Sequence, residues 1–201
     1  MRRFEGGRLL VATHNAGKLE EIAALFNDRP VDILSADALG LPEPAETEQT
    51  FVGNARIKAH AASRASGFVS LADDSGLCVD GLGGAPGVYT ADWAEGPAGR
   101  DFDKAMKRVC QALQIAGSDT SWSARFVCTL VLAWPDGHDE VFEGSVEGVI
   151  VCPGRGTQGH GYDPIFRPTG SDLTYGEMDR WEKNQTSHRA RAFASLLTCF
   201  T

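Results

Sequence analysis

The chain has 201 residues, of which 42% are hydrophobic and 23% charged. These values are typical of a globular protein with a sizeable core, and they exclude fibrous proteins and long disordered segments. The formal net charge of −8 argues against a protein that binds DNA or RNA polymers, because such binding needs a basic face. A few local cations and backbone N–H groups are still enough to bind a small anion.

The cysteines and the N-terminus indicate the compartment. Five cysteines are present, an odd number, and none forms a Cys-x-x-Cys pair, which argues against a disulfide framework and a cysteine-based zinc site. Cys110 and Cys128 lie in apolar surroundings and are predicted to be buried thiols, which favours a reducing cytoplasm. The apolar run at residues 8–12 is too short for a signal peptide or a membrane span. The sequence therefore predicts a soluble, cytoplasmic protein.

Strands and helices alternate in the first part of the chain. Leu9–Ala12 is predicted to be a short buried strand, and Thr13–Lys18 a glycine-containing turn that opens a helix. A second short strand is expected at Asp32–Leu34, followed by a surface loop at residues 35–49 that is rich in Pro and Glu. Thr50 is expected to cap the next helix.

A hairpin follows later in the chain. The remaining predicted elements are, in order, a strand at Phe68–Ala72 that ends in Asp73–Gly76, an amphipathic helix at Phe102–Ile115, a long hairpin of Ala124–Trp134 and Glu140–Val151, a Gly-rich loop at Cys152–Asp163 and a helix at Ser187–Phe200. This order favours an α/β fold with a mixed sheet.

The turn at Thr13–Lys18 is the first candidate for chemistry. A glycine-bearing turn before a helix presents free N–H groups and the positive end of the helix dipole, which suit a phosphate. Lys18 adds a charge, and Thr13 and Asn15 add side-chain hydrogen bonds. An ordinary turn between a strand and a helix has the same pattern, so that interpretation stays open here.

The pair Asp73-Asp74 is the second candidate. Adjacent carboxylates at the end of an apolar strand repel each other, and a divalent cation or a proton relieves that repulsion. Oxygen ligands of this kind suit Mg²⁺, but an Asx turn or a helix N-cap explains the same residues. Glu46 is either a further metal ligand or a solvated side chain of the acidic loop.

The third candidate lies in the last third of the chain. Gly159–Pro164 is a Gly-flanked loop that carries an aromatic residue and a carboxylate. Lys183, His188 and Arg189 follow, and Lys and Arg side chains pair with phosphate or carbonyl oxygens. His188 and Arg189 are equally compatible with a helix N-terminus that faces solvent.

The combination of these segments is more specific than any one of them. The segments are, in order, Thr-His-Asn-Ala-Gly-Lys at 13–18, Thr-Phe-x-x-Asn-Ala-x-x-Lys-Ala at 50–59, Leu-Ala-Asp-Asp-Ser-Gly-Leu at 71–77, Gly-Gly-Ala-Pro-Gly-Val-Tyr at 83–89, Gly-x-Gly-Tyr-Asp-Pro-Ile-Phe at 159–166, Glu-Lys-Asn at 182–184 and Ser-His-Arg-Ala at 187–190. From about Leu9 to Phe200 the chain closely resembles the inosine/xanthosine triphosphate pyrophosphatase family.

The resemblance implies a fold and an activity. The expected fold is a single domain over residues 1–201, with an elongated mixed β-sheet flanked by helices and a deep substrate groove between two lobes. The expected activity is Mg²⁺-dependent hydrolysis of ITP, dITP and XTP to the monophosphate and pyrophosphate, which clears these nucleotides from the pool. The expected assembly is a homodimer.

The resemblance also implies roles for individual residues. Asp74 is expected to be the catalytic base and a metal ligand, with Glu46 as the second ligand. The expected substrate-binding residues are Thr13, His14, Asn15, Ala16, Gly17, Lys18, Ser75, His160, Gly161, Tyr162, Asp163, Lys183, His188 and Arg189.

The chain departs from the family pattern at four positions. His160 stands where an aromatic residue is expected to stack on the purine, and Gly53 stands where a Glu precedes Asn-Ala. Asp92 replaces an Arg, and Trp181 replaces an acidic residue. Two alternatives stay open: a nucleotide-binding regulatory protein on the same scaffold, and a nucleotide phosphatase of other specificity.

Overall fold

The computed structural model describes residues 1–14, 16–26, 29–117 and 121–200, without the side chains of residues 16, 17, 21 and 24. Its strands are β1 (Gly7–Val11), β2 (Val31–Ser35), β3 (Val69–Val79), β4 (Ser123–Ala133), β5 (Asp139–Ile150) and β6 (Phe166–Pro168). Its helices are α1 (Ala16–Ala24), α2 (Phe51–Ser66), α3 (Phe102–Ala116), α4 (Arg180–Thr186) and α5 (His188–Leu196).

The strands of the described residues form one mixed sheet in the order β2-β1-β3-β4-β5-β6. The first strand, β1, pairs in parallel with both β2 and β3, whereas β5 and β6 pair antiparallel. The predicted α/β fold with a mixed sheet flanked by helices is confirmed. The groove between two lobes stays a prediction.

Strand β3 corrects one local prediction. Asp73–Gly76 does not form a turn, an Asx turn or a helix N-cap, because β3 continues through these residues to Val79. Nearly every residue of β3 is buried, as in a strand covered on both faces. Burial of the neighbours on both sides therefore keeps two aspartates in extended backbone inside the sheet.

The helix α2 is capped as the sequence predicts. The Thr50 side chain accepts a 3.0 Å hydrogen bond from the Gly53 N–H, and Gly67 ends the helix in the left-handed region at φ 74°. No helix within the described ranges is long and apolar enough to cross a membrane.

The chain divides into two compact units. The first consists of Met1–Asp74, Thr129–Glu143 and Ala192–Thr201. Its core includes a cluster of small side chains in which Ala55 and Ala59 of α2 pack with residues of β3 and β4. Small side chains let the helix lie close to the sheet, so polar groups on the same helix face come close to the β3 carboxylates.

The second unit consists of Ser75–Cys128 and Gly144–Arg191. Its core combines apolar residues of α3 with a group of aromatic rings that includes Phe126, Phe166 and Tyr175. The rings of Phe126 and Phe166 meet edge to face at 4.7 Å between centroids. A single domain over the whole chain stays a prediction, since each unit has a core of its own.

The cysteine prediction is wrong for Cys110. Cys110 of α3 forms a disulfide with Cys152, with their Cα atoms 6.1 Å apart, because both residues pack on the core of the second unit. Cys128 is buried and is not part of a disulfide, as predicted. An odd cysteine count excludes complete pairing but not one bridge.

Candidate active site

The carboxylate of Asp74 is the centre of the first unit's polar cluster. Asp73 and Asp74 are 4% and 7% exposed, because β3 runs through the interior. The Asn54 side chain donates a 3.3 Å hydrogen bond to Asp74 Oδ2. Burial, with the nearby carboxylates of Glu46 and Asp73, raises the pKa of Asp74 to about 6 against the opposing effects of Lys58 and Asn54. Asp74 therefore changes its protonation close to neutral pH.

Lys58 supplies the cation of this cluster. It lies on α2 one turn beyond Asn54, and its Nζ donates a 2.6 Å hydrogen bond to Glu46 Oε1. Burial lowers the pKa of the Lys58 ammonium, but the carboxylates of Asp73, Asp74 and Glu46 outweigh that effect and raise it. Lys58 stays protonated at neutral pH and holds Glu46 on the same side as Asp74.

The turn before α1 brings a second cation to the cluster. The Lys18 Nζ lies 2.6 Å from Asp73 Oδ2, and the Lys18 side chain is partly exposed. The His14 ring contacts the Leu41 carbonyl oxygen at 2.9 Å. This contact joins the turn to the acidic loop at residues 35–49. Thr13 is half-buried beside His14. The turn thus places an ammonium group where an anion is predicted to bind.

Three residues predicted in the same turn have limited structural description. Asn15 lies outside the described residues. Ala16 and Gly17 form the first turn of α1, which begins at Ala16. The start of a helix is a common place for an anion to bind, so this position agrees with the predicted phosphate-binding turn.

The donor set of the first unit fits Mg²⁺. Asp74 and Glu46 offer carboxylate oxygens. Burial is the main cause of the raised pKa of Asp74, with Glu46 and Asp73 adding to it, and a bound cation would favour the ionised form that burial disfavours. No three His, Cys, Asp or Glu side chains of the described ranges form a ready-made metal cage. Mg²⁺ commonly binds one or two carboxylates and completes its shell with water and substrate phosphates. Two protein ligands therefore suffice.

Asp163 organises the polar cluster of the second unit. It is 2% exposed, lies in a short 3₁₀ helix at Asp163–Ile165, and accepts a 2.6 Å hydrogen bond from the His160 backbone N–H. The ammonium group of Lys183 donates to the same carboxylate oxygen. One buried anion therefore fixes both the backbone of the loop and the cation of α4.

The loop around His160 has a tightly constrained backbone. Gly159 and Gly161 have φ values of 76° and 66°, which favour glycine, and a Cβ on Gly159 would collide with the Asp163 carboxylate. Tyr162 is buried and donates a 2.9 Å hydrogen bond to the Thr90 carbonyl. The His160 side chain is exposed. Between the two glycines, the loop thus presents an exposed side chain on a constrained backbone.

Aromatic rings contact two of the three basic residues that are predicted to bind substrate in this part of the chain. The His188 ring stacks on Phe126 with centroids 4.9 Å apart and planes 13° apart. The Lys183 Nζ lies 5.3 Å from the centre of the Tyr175 ring, which is fully buried. Arg189 follows His188 in α5 and is half-buried. Phe126 and Tyr175 carried no sequence signal that separates them from core residues.

The structure brings most predicted residues into two groups. In the first unit, Lys18 binds Asp73 directly, and Lys58 links Glu46 to the Asp73-Asp74 pair. Ser75 follows Asp74 in β3, is half-buried and is the first residue of the second unit. In the second unit, His160, Asp163 and Lys183 are directly hydrogen-bonded. That these residues contact a substrate stays a prediction.

The sequence analysis missed Asn54 and Lys58 as site residues. Both lie on the otherwise apolar face of α2 and are only 2% and 8% exposed. A detectable signal was their spacing of four, which places two polar side chains beside the buried Ala55 and Ala59. Polar residues at core positions of a helix need partners, and those partners are the acidic residues of the site.

Comparison with known proteins gives a consistent result. The Ham1 family profile matches residues 9–199. A dITP/XTP pyrophosphatase of Ruegeria pomeroyi is 60% identical over 200 residues, covering 99% of this chain and 98% of the relative. One of Rhodospirillum centenum is 54% identical over 200 residues, with the same coverage of both chains. A HAM1 protein structure from Coxiella burnetii has a TM-score of 0.90 at 35% identity, covering 95% of this chain and 96% of that chain. The chain belongs to the Ham1 family.

Proposed function

We propose that this chain hydrolyses ITP, dITP and XTP to the nucleoside monophosphate and pyrophosphate, and so removes non-standard purine nucleotides from the pool. The activity named for its relatives supports this substrate class. The observation that carries the proposal is the buried Asp74 carboxylate. It lies near Glu46, Lys58 and Asn54, and its pKa is raised to about 6.

Asp74 is the proposed base. Release of pyrophosphate requires water to attack the α-phosphorus, and a carboxylate with a pKa near the working pH is an effective acceptor for the proton of that water. At pH 7 to 8 a carboxyl group with a pKa of about 6 is mostly ionised. Its burial also leaves it poorly hydrated, which favours proton uptake from the attacking water.

Lys18 and Lys58 supply the fixed positive charge. The departing pyrophosphate carries increasing negative charge, and cations placed beforehand in a partly buried site stabilise that charge. Lys18 is partly exposed and adjoins the turn predicted to bind the triphosphate. Mg²⁺, held by Asp74 and Glu46, would supply further charge neutralisation of the phosphates.

Residues of the second unit are proposed to recognise the purine base. Hypoxanthine and xanthine carry a C6 carbonyl where adenine carries an amino group, so hydrogen-bond donors favour the first two bases. Lys183, His188 and Arg189 are such donors, and Lys183 uses one of its protons on Asp163. A site built on hydrogen bonds discriminates strongly against an analogue that cannot make them. Rejection of guanine requires that its C2 amino group stay unpaired or crowded.

Three further features belong to the same proposal. Mg²⁺ is the proposed metal, since its preference for oxygen ligands matches the carboxylates of the first unit. The cytoplasm is the proposed location, where the substrate pool lies, and there the sulfurs of Cys110 and Cys152 would be reduced to neighbouring thiols. A homodimer is the proposed assembly, which light scattering of the purified protein tests.

Product identification tests the activity. The purified protein is incubated with MgCl₂ and ITP, dITP, XTP, ATP, GTP or dTTP, and pyrophosphate and phosphate are assayed separately, with EDTA as the control. We expect pyrophosphate from ITP, dITP and XTP, little from ATP and GTP, and none with EDTA. Phosphate as the product would establish a phosphatase of other specificity. Binding of ITP with no product would establish a regulatory binder.

The Asp74→Asn variant assigns the base. We expect this variant to keep most of its affinity for ITP and to lose turnover, because an amide cannot accept the proton. A fully active variant would overturn the role of Asp74 and leave the substrate assignment standing.

A further inference from the structure

Asn54 joins two parts of the first unit through one side chain. It lies in the first turn of α2 and is 2% exposed. Its Oδ1 accepts a 2.9 Å hydrogen bond from the Glu48 backbone N–H, and its Nδ2 donates a 3.3 Å hydrogen bond to Asp74 Oδ2. A backbone N–H only donates and an ionised carboxylate only accepts, so the two partners fix the orientation of the amide.

The contact with Glu48 controls where Glu46 lies. Glu46 and Glu48 belong to the acidic loop, and that loop is fastened to α2 twice: Asn54 binds the Glu48 backbone, and Lys58 binds the Glu46 carboxylate at 2.6 Å. Asn54 and Lys58 are one helical turn apart on the same face of α2. The helix therefore sets the position of Glu46 through two independent bonds.

Gly53 makes the close approach of this loop possible. A Cβ at position 53 would lie 2.5 Å from Glu48 Cβ and 2.7 Å from Glu48 Cγ, which are atoms next to the backbone and cannot easily move aside. The absence of a side chain at position 53 therefore leaves room for the loop to reach Asn54. The same close approach gives a way to break the loop contact without touching Asn54.

We infer that Asn54 is a positioning residue that sets the carboxylates of Glu46 and Asp74 relative to each other, with Gly53 providing the space; this inference rests on the proposed function of the same cluster. The role needs an amide, since one end must accept from the loop and the other must donate to Asp74. Aspartate has no donor for Asp74, and alanine reaches neither partner.

Metal binding in the absence of substrate tests the inference. The dissociation constant of Mn²⁺, a spectroscopic substitute for Mg²⁺, is measured by electron paramagnetic resonance for the full-length protein and its variants. In Asn54→Ala both bonds are lost, and we expect the dissociation constant to rise about tenfold. The kcat for ITP should fall by a similar factor while the KM changes less than about twofold, because Asn54 is only 2% exposed and both ends of its amide are bonded to the protein.

Gly53→Ala disturbs the loop contact and leaves the Asn54 side chain in place. The higher helix propensity of alanine is opposed by its collisions with Glu48 and with Thr50 Oγ1 at 2.9 Å, so thermal unfolding is measured alongside, and the Mn²⁺ dissociation constant should rise about three- to fivefold. Removal of the obstructing atoms in the Glu48→Gly, Gly53→Ala double variant keeps the backbone N–H and should restore most of the affinity. Glu43→Ala, in an exposed part of the same loop, is the matched control and should bind Mn²⁺ unchanged.

Unchanged Mn²⁺ binding in Gly53→Ala, together with unchanged binding in a folded Asn54→Ala, would overturn the inference. Loss of affinity in Gly53→Ala without recovery in the double variant would overturn the role of Gly53. Absence of pyrophosphate release by the unaltered protein would overturn the proposed function, and the Mn²⁺ measurement would still judge Asn54 separately.

Discussion

Lys58 donates a 2.6 Å hydrogen bond to Glu46 from a position only 8% exposed, next to Asp73 and Asp74. Three carboxylates thus share this buried ammonium group, and Asp73 is also bonded to the partly exposed Lys18. Removal of one partner of a buried ion pair leaves the remaining charges unpaired and costs several kcal/mol. The stability of the first unit and the chemistry of its cluster are therefore coupled through a single side chain.

The Lys58→Met variant should lower the free energy of unfolding by about 2 to 3 kcal/mol at pH 8, since Glu46 is only partly buried. The loss should be smaller at pH 5, because Asp74, with a pKa of about 6, is then mostly neutral. Urea denaturation at both pH values measures the difference. Lys107→Met, at an exposed position of α3, is the control. Equal losses at the two pH values would contradict this coupling.

Asp74→Asn should stabilise the metal-free protein above pH 6. The pKa of Asp74 is raised from 3.8 to about 6 on folding, so ionisation opposes folding and the penalty grows as the pH rises between these values. A neutral amide removes a penalty of up to about 3 kcal/mol at pH 7 to 8. Thermal unfolding in EDTA at pH 4 and pH 8 should show the gain only at pH 8. A gain of equal size at pH 4 would exclude this cause.

Turnover should fall as the pH is lowered through about 6 or below, because Asp74 must be ionised to act as a base. Bound Mg²⁺ favours the ionised form of Asp74. The pH at which turnover falls to half should therefore decrease as the Mg²⁺ concentration rises. The profile of kcat/KM for ITP at two Mg²⁺ concentrations measures both effects. A midpoint independent of Mg²⁺ would argue against metal binding by Asp74.

His160→Phe should lower the KM for ITP by roughly three- to tenfold with little change in kcat. His160 is exposed, and a larger aromatic ring at this position should stack better on the purine; base–aromatic stacking contributes about 1 to 3 kcal/mol. His160→Ala should raise the KM, and His138→Phe, at an exposed position of the first unit, is the control. Similar KM values for the unaltered protein, His160→Phe and His160→Ala would show that residue 160 does not contact the base.

Reduction of Cys110–Cys152 should destabilise the second unit. The two residues are 42 apart in sequence, and the chain-entropy relation gives about 4 kcal/mol for a loop of that length. Dithiothreitol should therefore lower the Tm of protein prepared under oxidising conditions. Cys110→Ser should have the lower Tm already and should not respond to the reductant. A response in Cys110→Ser would place the effect at another cysteine.

Local patterns predicted much of the sheet and the main helices. The apolar run before Thr13 and the Thr50 cap each depend on a few neighbouring residues, and both matched the structure. Asp73–Gly76 did not, because residues that favour turns are held in a strand by burial from distant parts of the chain. Local propensity is a weak constraint when tertiary packing decides.

Long-range pairings explain what the sequence analysis missed at the site. Asn54 and Glu48 lie close in sequence, but the importance of Asn54 depends on Asp74, which another element supplies. The bridge between Cys110 and Cys152 likewise joins residues whose proximity follows only from the packed core. Residue types indicated which chemistry to expect, whereas the partners required the folded chain.

The glycines beside His160 limit how base preference can evolve. Gly159 and Gly161 both have positive φ values, and Gly159 also has no room for a Cβ beside Asp163. Mutations at either glycine would distort the backbone before they offered a new side chain to a ligand. If the loop binds the base as proposed, position 160 is a residue of this short stretch at which a single substitution changes the side chain offered to the nucleotide without straining the backbone.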